Sequence, residues 1–322
     1  MKAIVQNEFG DAGVLSYTDV EVPKLGDHEC LIKVAYTSVN YADIKNRNGN
    51  KEKGTFPLTL GLDAAGTIEE AEAGSAFAKG DRVIAFPKAG SYAEYVVANE
   101  NLIYKIPDSL SFEQAAAMPI VSILSYMLLH EIGQVKTTDT IVIHSAAGGV
   151  GSMLVQLAKV FGVQKIIGTV GSMEKMNYVK ELGADLVCSY ETFTEEVLRE
   201  TENLGANLIF DSVAGDVTRK SLNCLALYGT LLQFGNSSGK AGTFTTNDVH
   251  SSCRNIKGFS LGTTRKHDPV RLAPIAKKVI DLFDAKQISL PIAKIFQLSE
   301  AAEAHRLIES RNYEGKVLLE VK

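Results

Sequence analysis

Hydrophobic and polar positions follow two different rhythms along the chain. Up to about residue 110, short apolar runs alternate with polar positions and are separated by glycine-containing turns. The runs that predict strands are 30–39, 66–69, 81–86 and 92–97. This part of the chain is therefore predicted to be β-rich.

After residue 110 the pattern predicts helices and strands in alternation. Ser111 and Gln114 have the spacing of a capping box, and Pro119 suits the first turn of a second helix. Strands are predicted near residues 140, 166, 186, 208, 230 and 257, with helices at 151–162, 174–182, 193–203 and 216–226. This alternation is typical of a doubly wound α/β sheet. Two further helical stretches, 268–286 and 299–310, and a last strand at 315–321 are expected to return to the first domain.

A glycine turn joins the strand predicted near residue 140 to the helix predicted at 151–162. The apolar run 140–143 leads into Ala146-x-Gly148-x-x-Gly151, and an amphipathic run follows. Such a turn lets a dinucleotide pyrophosphate approach the backbone at a helix N-terminus. Glycine triplets also serve ordinary tight turns, but the β-rich run 165–170 completes a βαβ unit of the required length.

The end of the predicted strand 165–170 indicates which dinucleotide is bound. An NAD-selective site usually has a carboxylate about 20 residues past the glycine turn. Here Ser172 and Lys175 occupy this region, and a hydroxyl and a cation suit a 2′-phosphate. Lys175 could instead be an ordinary solvated lysine. The pattern favours NADP(H).

Composition excludes several other classes of protein. The 322 residues are 45% hydrophobic and 22% charged, enough for two sizeable cores. A net charge of −5 argues against nucleic acid as a partner. The N-terminus lacks a signal-peptide pattern, and the longest apolar stretch, 115–129, is too short for a bilayer, so we expect no membrane partner and a cytoplasmic protein. The four cysteines and six histidines lack metal-ligand spacing, so neither disulfides nor metal are expected.

Several motifs together resemble one family over nearly the whole chain. They are Ser38-Val39-Asn40-Tyr41-Ala42-Asp43, Gly80-Asp81-Arg82-Val83, His144 through Gly151, Gly168 through Ser172, Asp211-Ser212-Val213, and the most specific, Phe234-Gly235-Asn236-Ser237-Ser238-Gly239. The sequence resembles the zinc-free quinone oxidoreductase branch of the medium-chain dehydrogenase/reductase superfamily, which includes zeta-crystallin. The resemblance implies a GroES-like catalytic domain at 1–117, completed by 263–322, and a Rossmann-like NADP(H)-binding domain at 118–262. It also implies a homodimer.

Zinc-binding members of the superfamily differ at two positions. They have a cysteine where Asn40 stands and Gly-His-Glu where Gly61-Leu62-Asp63 stands. Zinc-dependent alcohol dehydrogenation is therefore not expected.

The resemblance also implies which residues bind the cofactor. Gly148, Gly149 and Val150 would hold the pyrophosphate through the backbone. The positions implied around the 2′-phosphate are Ser172, Lys175, Tyr190 and Arg311, with Gly171 beside them at the strand end. The positions implied nearer the nicotinamide are Asn40, Val213, Phe234, Gly235, Asn236 and Ser237. Tyr190 could otherwise be a half-buried loop aromatic, and Arg311 a surface cation at a helix end.

Candidates for lining or polarising the acceptor site are Asn40, Tyr41, Lys45 and Arg47. None has the pattern of a nucleophile, and a quinone needs mainly a well-aimed hydride with water excluded. The leading hypothesis is an NADPH-dependent quinone reductase with its cleft between the two domains. An NADPH-dependent enone or alkenal double-bond reductase, with Tyr41 as the residue to test for proton donation, is the second hypothesis. The third is an NADPH-binding protein with little turnover.

Two departures from the family concern the acceptor pocket. Leu124 aligns with a position where the family often has threonine, and Lys45 stands where a tyrosine is common. Substrate preference is therefore less determined by the sequence than the cofactor.

Overall fold

The computed structural model describes residues 1–50 and 55–321. The chain divides into two compact units. The first unit comprises Met1–Ile120 and the segment from Thr264 onward, and the second unit comprises Val121–Thr263.

The strands, in chain order, are β1 (Lys2–Gln6), β2 (Ser16–Asp19), β3 (Glu29–Val39), β4 (Leu58–Thr59), β5 (Ala64–Ala71), β6 (Arg82–Ala85), β7 (Tyr95–Asn99), β8 (Ile103–Lys105), β9 (Thr140–Ile143), β10 (Lys165–Val170), β11 (Leu186–Ser189), β12 (Ala206–Asp211), β13 (Leu225–Gln233), β14 (Asn255–Gly258), β15 (Ile292–Gln297) and β16 (Lys316–Glu320). The α-helices are α1 (Tyr41–Arg47), α2 (Phe112–Ala117), α3 (Pro119–Met127), α4 (Gly149–Val160), α5 (Met176–Glu181), α6 (Phe193–Glu200), α7 (Asp216–Asn223), α8 (Thr246–His250), α9 (Leu261–His267), α10 (Leu272–Asp284) and α11 (Ala301–Ser310).

The second unit is built on a parallel sheet. Among the described residues its strand order is β11-β10-β9-β12-β13-β14, and every pairing is parallel. Helices connect most successive strands, and the central strands are buried apolar runs because both faces of such a sheet are covered. The order reverses between β9 and β12, which is where open α/β sheets bind ligands. The predicted doubly wound Rossmann-like sheet is confirmed.

The first unit is β-rich. In the described part of the chain, the order β15-β16-β3-β5-β6-β8 forms one sheet, with β7 also paired to β3, and β2-β1-β4 forms a smaller one. The core between these elements contains Ile32, Val83 and Val317, all fully buried. The C-terminal strand β16 pairs antiparallel with β3, so the chain returns to its first unit. The predicted GroES-like fold is confirmed.

Some elements differ from the sequence-based expectation. The strand expected at 92–97 begins only at Tyr95, because residues 92–94 bond to β1: Ile4 N–H donates to Tyr92 O and Glu94 N–H to Lys2 O. The short elements β15, α8 and α9 were not predicted. The capping box of Ser111 and Gln114 and the helix beginning at Pro119 are confirmed.

Two further expectations concern the cysteines and the apolar stretches. The four cysteines are free thiols, and Cys188 and Cys224 are buried as predicted. No helix in the residues the structure describes combines the length and apolarity needed to cross a membrane.

Candidate functional site

The glycine turn of the second unit leaves a helix N-terminus without a side-chain cap. Gly148 is the N-cap of α4, and among the described residues no side chain bonds to the first-turn N–H groups. A Cβ on Gly151 would lie 2.2 Å from Ser145 O, so only glycine lets the helix pack this closely on the turn. Gly148 is exposed, with Gly149 and Val150 half-buried beside it. Unpaired N–H groups and the helix dipole suit this helix end to an anion.

Tyr190 lies beside this turn. Its hydroxyl accepts a hydrogen bond from Ser145 N–H at 2.8 Å and lies 3.1 Å from Ser145 Oγ. A Cβ on Gly171 would lie 4.0 Å from the Tyr190 ring. The structure therefore brings Gly171 and Tyr190 together with the glycine turn, at the carboxyl ends of neighbouring strands.

Ser172 and Lys175 bound the short 3-10 turn that follows β10. Ser172 is its exposed N-cap, and Lys175 is half-buried at its last position. A cation that the sequence did not single out lies nearby, because Lys220 Nζ donates to the backbone carbonyl of Tyr190 at 3.2 Å. The carboxyl end of β10 thus carries a hydroxyl and a cation, with no carboxylate at the strand tip.

The loops after β12 and β13 are tied together by Asp211. This fully buried carboxylate accepts from Val213 N–H at 2.8 Å, Ala214 N–H at 3.0 Å and Thr218 Oγ1 at 2.6 Å. Phe234 N–H donates to Asp211 O at 3.0 Å. Sequence reasoning quoted Asp211 only as part of a motif. The signal for its role was a carboxylate at the end of a buried strand.

The segment 234–237 lies against the loop after β12. Ser237 N–H donates to Ser212 O at 2.9 Å, and a Cβ on Gly235 would lie 3.0 Å from that same carbonyl. Gln233 Nε2 donates to Gly235 O at 2.6 Å. Val213, Phe234, Gly235, Asn236 and Ser237 are thus gathered at the carboxyl ends of adjacent parallel strands.

In the first unit, Asn40 is the centre of a buried polar network. It caps α1, and its N–H donates to Asp43 Oδ2 at 2.8 Å. Its Nδ2 donates to Ser38 Oγ at 3.1 Å and Asp63 Oδ1 at 3.2 Å, and its Oδ1 accepts from Lys316 Nζ at 2.8 Å. The sequence predicted Asn40 as a site residue but not these partners. The spacing of Asn40 and Asp43 was the available signal for the cap.

Burial governs the charges of this network. It raises the pKa of Asp43 to about 7, with Asn40 N–H opposing the shift and Asp63 adding to it. Burial also raises the pKa of Asp63, against the attraction of Lys316 and the hydrogen bond from Ser38. It lowers the pKa of Lys316, against the attraction of Asp63 and Asp43. Burial therefore favours the neutral form of each group, and the attraction between the opposite charges acts against that shift.

The structure gives the other acceptor-site candidates different surroundings. Tyr41 is 40% exposed at the first position of α1, and Lys45 is half-buried one turn later. Arg47 is buried, and its guanidinium donates to Gly10 O at 3.0 Å and to Glu309 Oε1 at 2.6 Å. These contacts tie α1 to α11, so Arg47 supports the fold of the first unit and does not present its donors to an acceptor.

Arg47 also belongs to a hydrogen-bonded chain that reaches Asp43. It donates to His305 Nδ1 at 3.2 Å, so the His305 Nε2–H faces the Tyr92 hydroxyl at 3.1 Å. Tyr92 then donates to Asp43 Oδ2 at 3.4 Å. Burial and the neighbouring Arg47 lower the pKa of His305 to about 3, so this ring is neutral at physiological pH.

The residues near Asn40 do not fit a zinc ion. In the parts of the chain that the structure describes, no group of three or more His, Cys, Asp or Glu side chains could hold a metal. The Leu62 side chain has no ligand atom, and the Asp63 side-chain oxygens accept from Ser38, Asn40 and Ile120 N–H. The ammonium of Lys316 would also repel a dication. Lys316 itself provides the positive charge next to Asn40.

Arg311 follows α11 in the first unit. It is exposed and has a left-handed backbone with a φ of 58°, and its N–H donates to Ile308 O. Arg311 therefore lies at the surface, at the end of a helix.

Comparisons with known proteins agree with this architecture. Residues 26–108 match the alcohol dehydrogenase GroES-like domain, and residues 149–277 match the zinc-binding dehydrogenase domain. A probable quinone oxidoreductase of Schizosaccharomyces pombe is 33% identical over 320 residues, covering 97% of this chain and 95% of the relative.

Solved structures give the same result. The Escherichia coli quinone oxidoreductase complexed with NADPH is 27% identical with a TM-score of 0.93, over 99% of this chain and 100% of that one. A mycobacterial protein complexed with NADPH is 31% identical with a TM-score of 0.93, again over 99% and 100%.

Proposed function

Because the chain belongs to the quinone oxidoreductase branch of the medium-chain dehydrogenase/reductase superfamily, we propose that it reduces quinones with NADPH and without a metal. The chain is an oxidoreductase of that superfamily. The observation that carries the cofactor proposal is the uncapped N-terminus of α4 above the glycine turn, with Ser172 and Lys175 at the neighbouring strand end.

The residues of the second unit provide three kinds of contact for NADP(H). The backbone of Gly148, Gly149 and Val150 would hold the pyrophosphate at the helix N-terminus. Gly171, Ser172, Lys175 and Tyr190 would surround the 2′-phosphate, for which the resemblance also implies Arg311. Val213 and the segment 234–237 would hold the nicotinamide end, for which the resemblance also implies Asn40.

Quinone reduction requires little chemistry from the side chains. When bound, the reduced nicotinamide supplies a hydride from C4. Asn40, Tyr41 and Lys45 would line the acceptor site and orient the quinone, whose oxygens collect the electrons and take protons from solvent. Since the residues near Asn40 do not fit zinc, polarisation would come from hydrogen-bond donors and the Lys45 cation.

The test is oxidation of the nicotinamide, followed by its absorbance. The purified protein is mixed with NADPH or NADH and then with 1,4-benzoquinone, 9,10-phenanthrenequinone or an enone. We expect rapid oxidation of NADPH by the quinones and slow oxidation of NADH. Tight NADPH binding without turnover of any acceptor would refute the enzymatic proposal and favour a binding role.

Lys175→Ala tests the 2′-phosphate contact. Losing one charge-assisted hydrogen bond should raise the KM for NADPH by about tenfold or more, with little effect on kcat or on NADH. Lys180→Ala, which removes an exposed lysine of α5, is the matched control and should leave both constants unchanged. Equal losses for NADPH and NADH would contradict the assignment.

A second candidate function rests on the exposed phenol of Tyr41. An enone or alkenal reductase must protonate the α carbon after hydride transfer, and Tyr41 offers a hydroxyl beside Asn40 at the start of α1. Tyr41→Phe would then lower kcat for an enone by about tenfold or more while sparing quinone reduction. Equal enone rates in the two proteins would remove this candidate.

A further inference from the structure

Lys316 is a buried cation in an apolar strand. It is 4% exposed at the first position of β16, followed by Val317, Leu318 and Leu319, which are fully buried. A buried ammonium is costly unless opposite charges and hydrogen bonds compensate it. Asp63 and Asp43 supply opposite charge, and Asn40 Oδ1 accepts its hydrogen bond at 2.8 Å.

The lysine determines which way the Asn40 amide faces. An ammonium has only donors, so the atom of Asn40 that faces Lys316 must be the carbonyl Oδ1. The Nδ2 group then faces Ser38 Oγ and Asp63 Oδ1. Ser38 Oγ donates its own hydrogen to Asp63 Oδ1 at 2.7 Å and therefore accepts from Asn40. A flipped amide would put two donors against the ammonium.

This arrangement limits what Asn40 can offer a ligand. Both Nδ2 hydrogens are used within the protein, while Oδ1 has two lone pairs and Lys316 engages one of them. The side chain is 6% exposed, so it can meet a ligand through only a small surface. What remains for a ligand is an oriented acceptor.

We propose that Lys316 is a positioning residue that fixes the Asn40 amide with Oδ1 as its acceptor toward the carboxamide N–H of the nicotinamide. This inference rests on the proposed NADPH-dependent function. It assigns Lys316 no contact with cofactor or substrate.

The test separates positioning from charge balance through a mutant cycle. Lys316→Met removes the ammonium and leaves Asp63 buried without its cation. Asp63→Asn and the double variant remove that charge. Lys294→Met, at an exposed position of the neighbouring strand β15, is the matched surface control. The thermal unfolding temperature reports the destabilisation caused by an unpaired Asp63 charge. Dissociation constants for NADPH, from its fluorescence, and for adenosine 2′,5′-bisphosphate, which has no nicotinamide, report positioning.

We expect Lys316→Met to weaken NADPH about tenfold, the effect of losing one oriented hydrogen bond, and to leave adenosine 2′,5′-bisphosphate unchanged. The same weakening should persist in the Asp63→Asn background, even where thermal stability is regained. Lys294→Met should behave like the wild type. The proposal is overturned if both ligands weaken equally, or if the effect on NADPH vanishes once Asp63 is neutral.

The outcomes also separate this inference from the proposed activity. A wild-type protein that binds NADPH but reduces no quinone would refute the acceptor assignment, while the binding cycle would still decide the role of Lys316. A wild-type protein that does not bind NADPH would overturn both.

Discussion

At the scale of single residues, two glycines of one turn have different physical roles. A Cβ on Gly151 meets Ser145 O at 2.2 Å and Ala146 Cα at 2.7 Å, whereas a Cβ on Gly148 meets only Ser145 O, at 3.2 Å. Gly151→Ala should therefore lower the free energy of unfolding by about 1–3 kcal/mol through overpacking. Chemical denaturation of the two proteins measures this difference.

Gly148→Ser is the matched comparison at the exposed N-cap. Serine is a favoured cap, so the free energy of unfolding should stay within about 0.5 kcal/mol of the wild type. Its side chain would stand where the pyrophosphate approaches, and NADPH should bind at least about tenfold more weakly. Unchanged NADPH affinity in Gly148→Ser would contradict the placement of the pyrophosphate at this turn.

At the scale of elements, His144 joins two strands and a helix. Its Nδ1 lies 2.9 Å from Thr169 Oγ1 on β10, and its Nε2 lies 2.8 Å from Ser221 Oγ on α7. Ser221 donates its own hydrogen to Val217 O, so it accepts from Nε2–H, and Thr169 donates to Nδ1. The bond from Thr169 requires the neutral ring, because a protonated Nδ1 cannot accept, whereas the Nε2–H donor is present in both forms.

Acid should break the bond from Thr169 by protonating Nδ1, and burial lowers the pKa of His144 to about 4. Unfolded histidine has a pKa of about 6.5, so the stabilisation is complete above that pH and is lost as the pH falls toward 4. His144→Gln should therefore remove a slope of up to about 1.4 kcal/mol per pH unit in this range. Denaturant unfolding of both proteins between these pH values measures it.

The comparison of the two proteins is essential because other groups titrate in the same range. The raised pKa of Asp43 gives the opposite dependence, since its stabilisation is lost as the pH rises, and His305 adds to the acid sensitivity. These groups are unchanged by His144→Gln, so they cancel in the difference. Parallel pH profiles would show that His144 makes no titrating contribution.

Elements with a strong local pattern were predictable from the sequence, and long-range pairings were not. The turn from β9 to α4 has its periodicity and glycines within about a dozen residues, and this strand, turn and helix were predicted. The strand β15 is short and mostly exposed, and its pairing with β16 decides its structure. The bond from Lys316 to Asn40 joins positions 276 residues apart, so no local pattern shows it.

At the scale of the whole molecule, the outer strand of the parallel sheet leads us to propose the homodimer that the resemblance implies. Within the described residues, β14 pairs only with β13 and ends the sheet, leaving one edge to pair with another chain. Leu227 and Tyr228 lie beside it, 67% and 74% exposed, and Tyr228 N–H donates to Ser252 O. An exposed edge next to apolar side chains suits a two-fold interface with a second copy.

Light scattering during gel filtration should give twice the mass of one chain for the wild type. Replacing both Leu227 and Tyr228 with aspartate places like charges on both sides of a two-fold interface, so this variant should elute as a monomer. Val270→Asp is the matched control, because Val270 is an apolar side chain that is 64% exposed and belongs to the first unit, not to the β14 edge, so its variant should remain dimeric. A wild type that is monomeric at every concentration would rule out the homodimer. A dimeric double variant would move the interface away from β14.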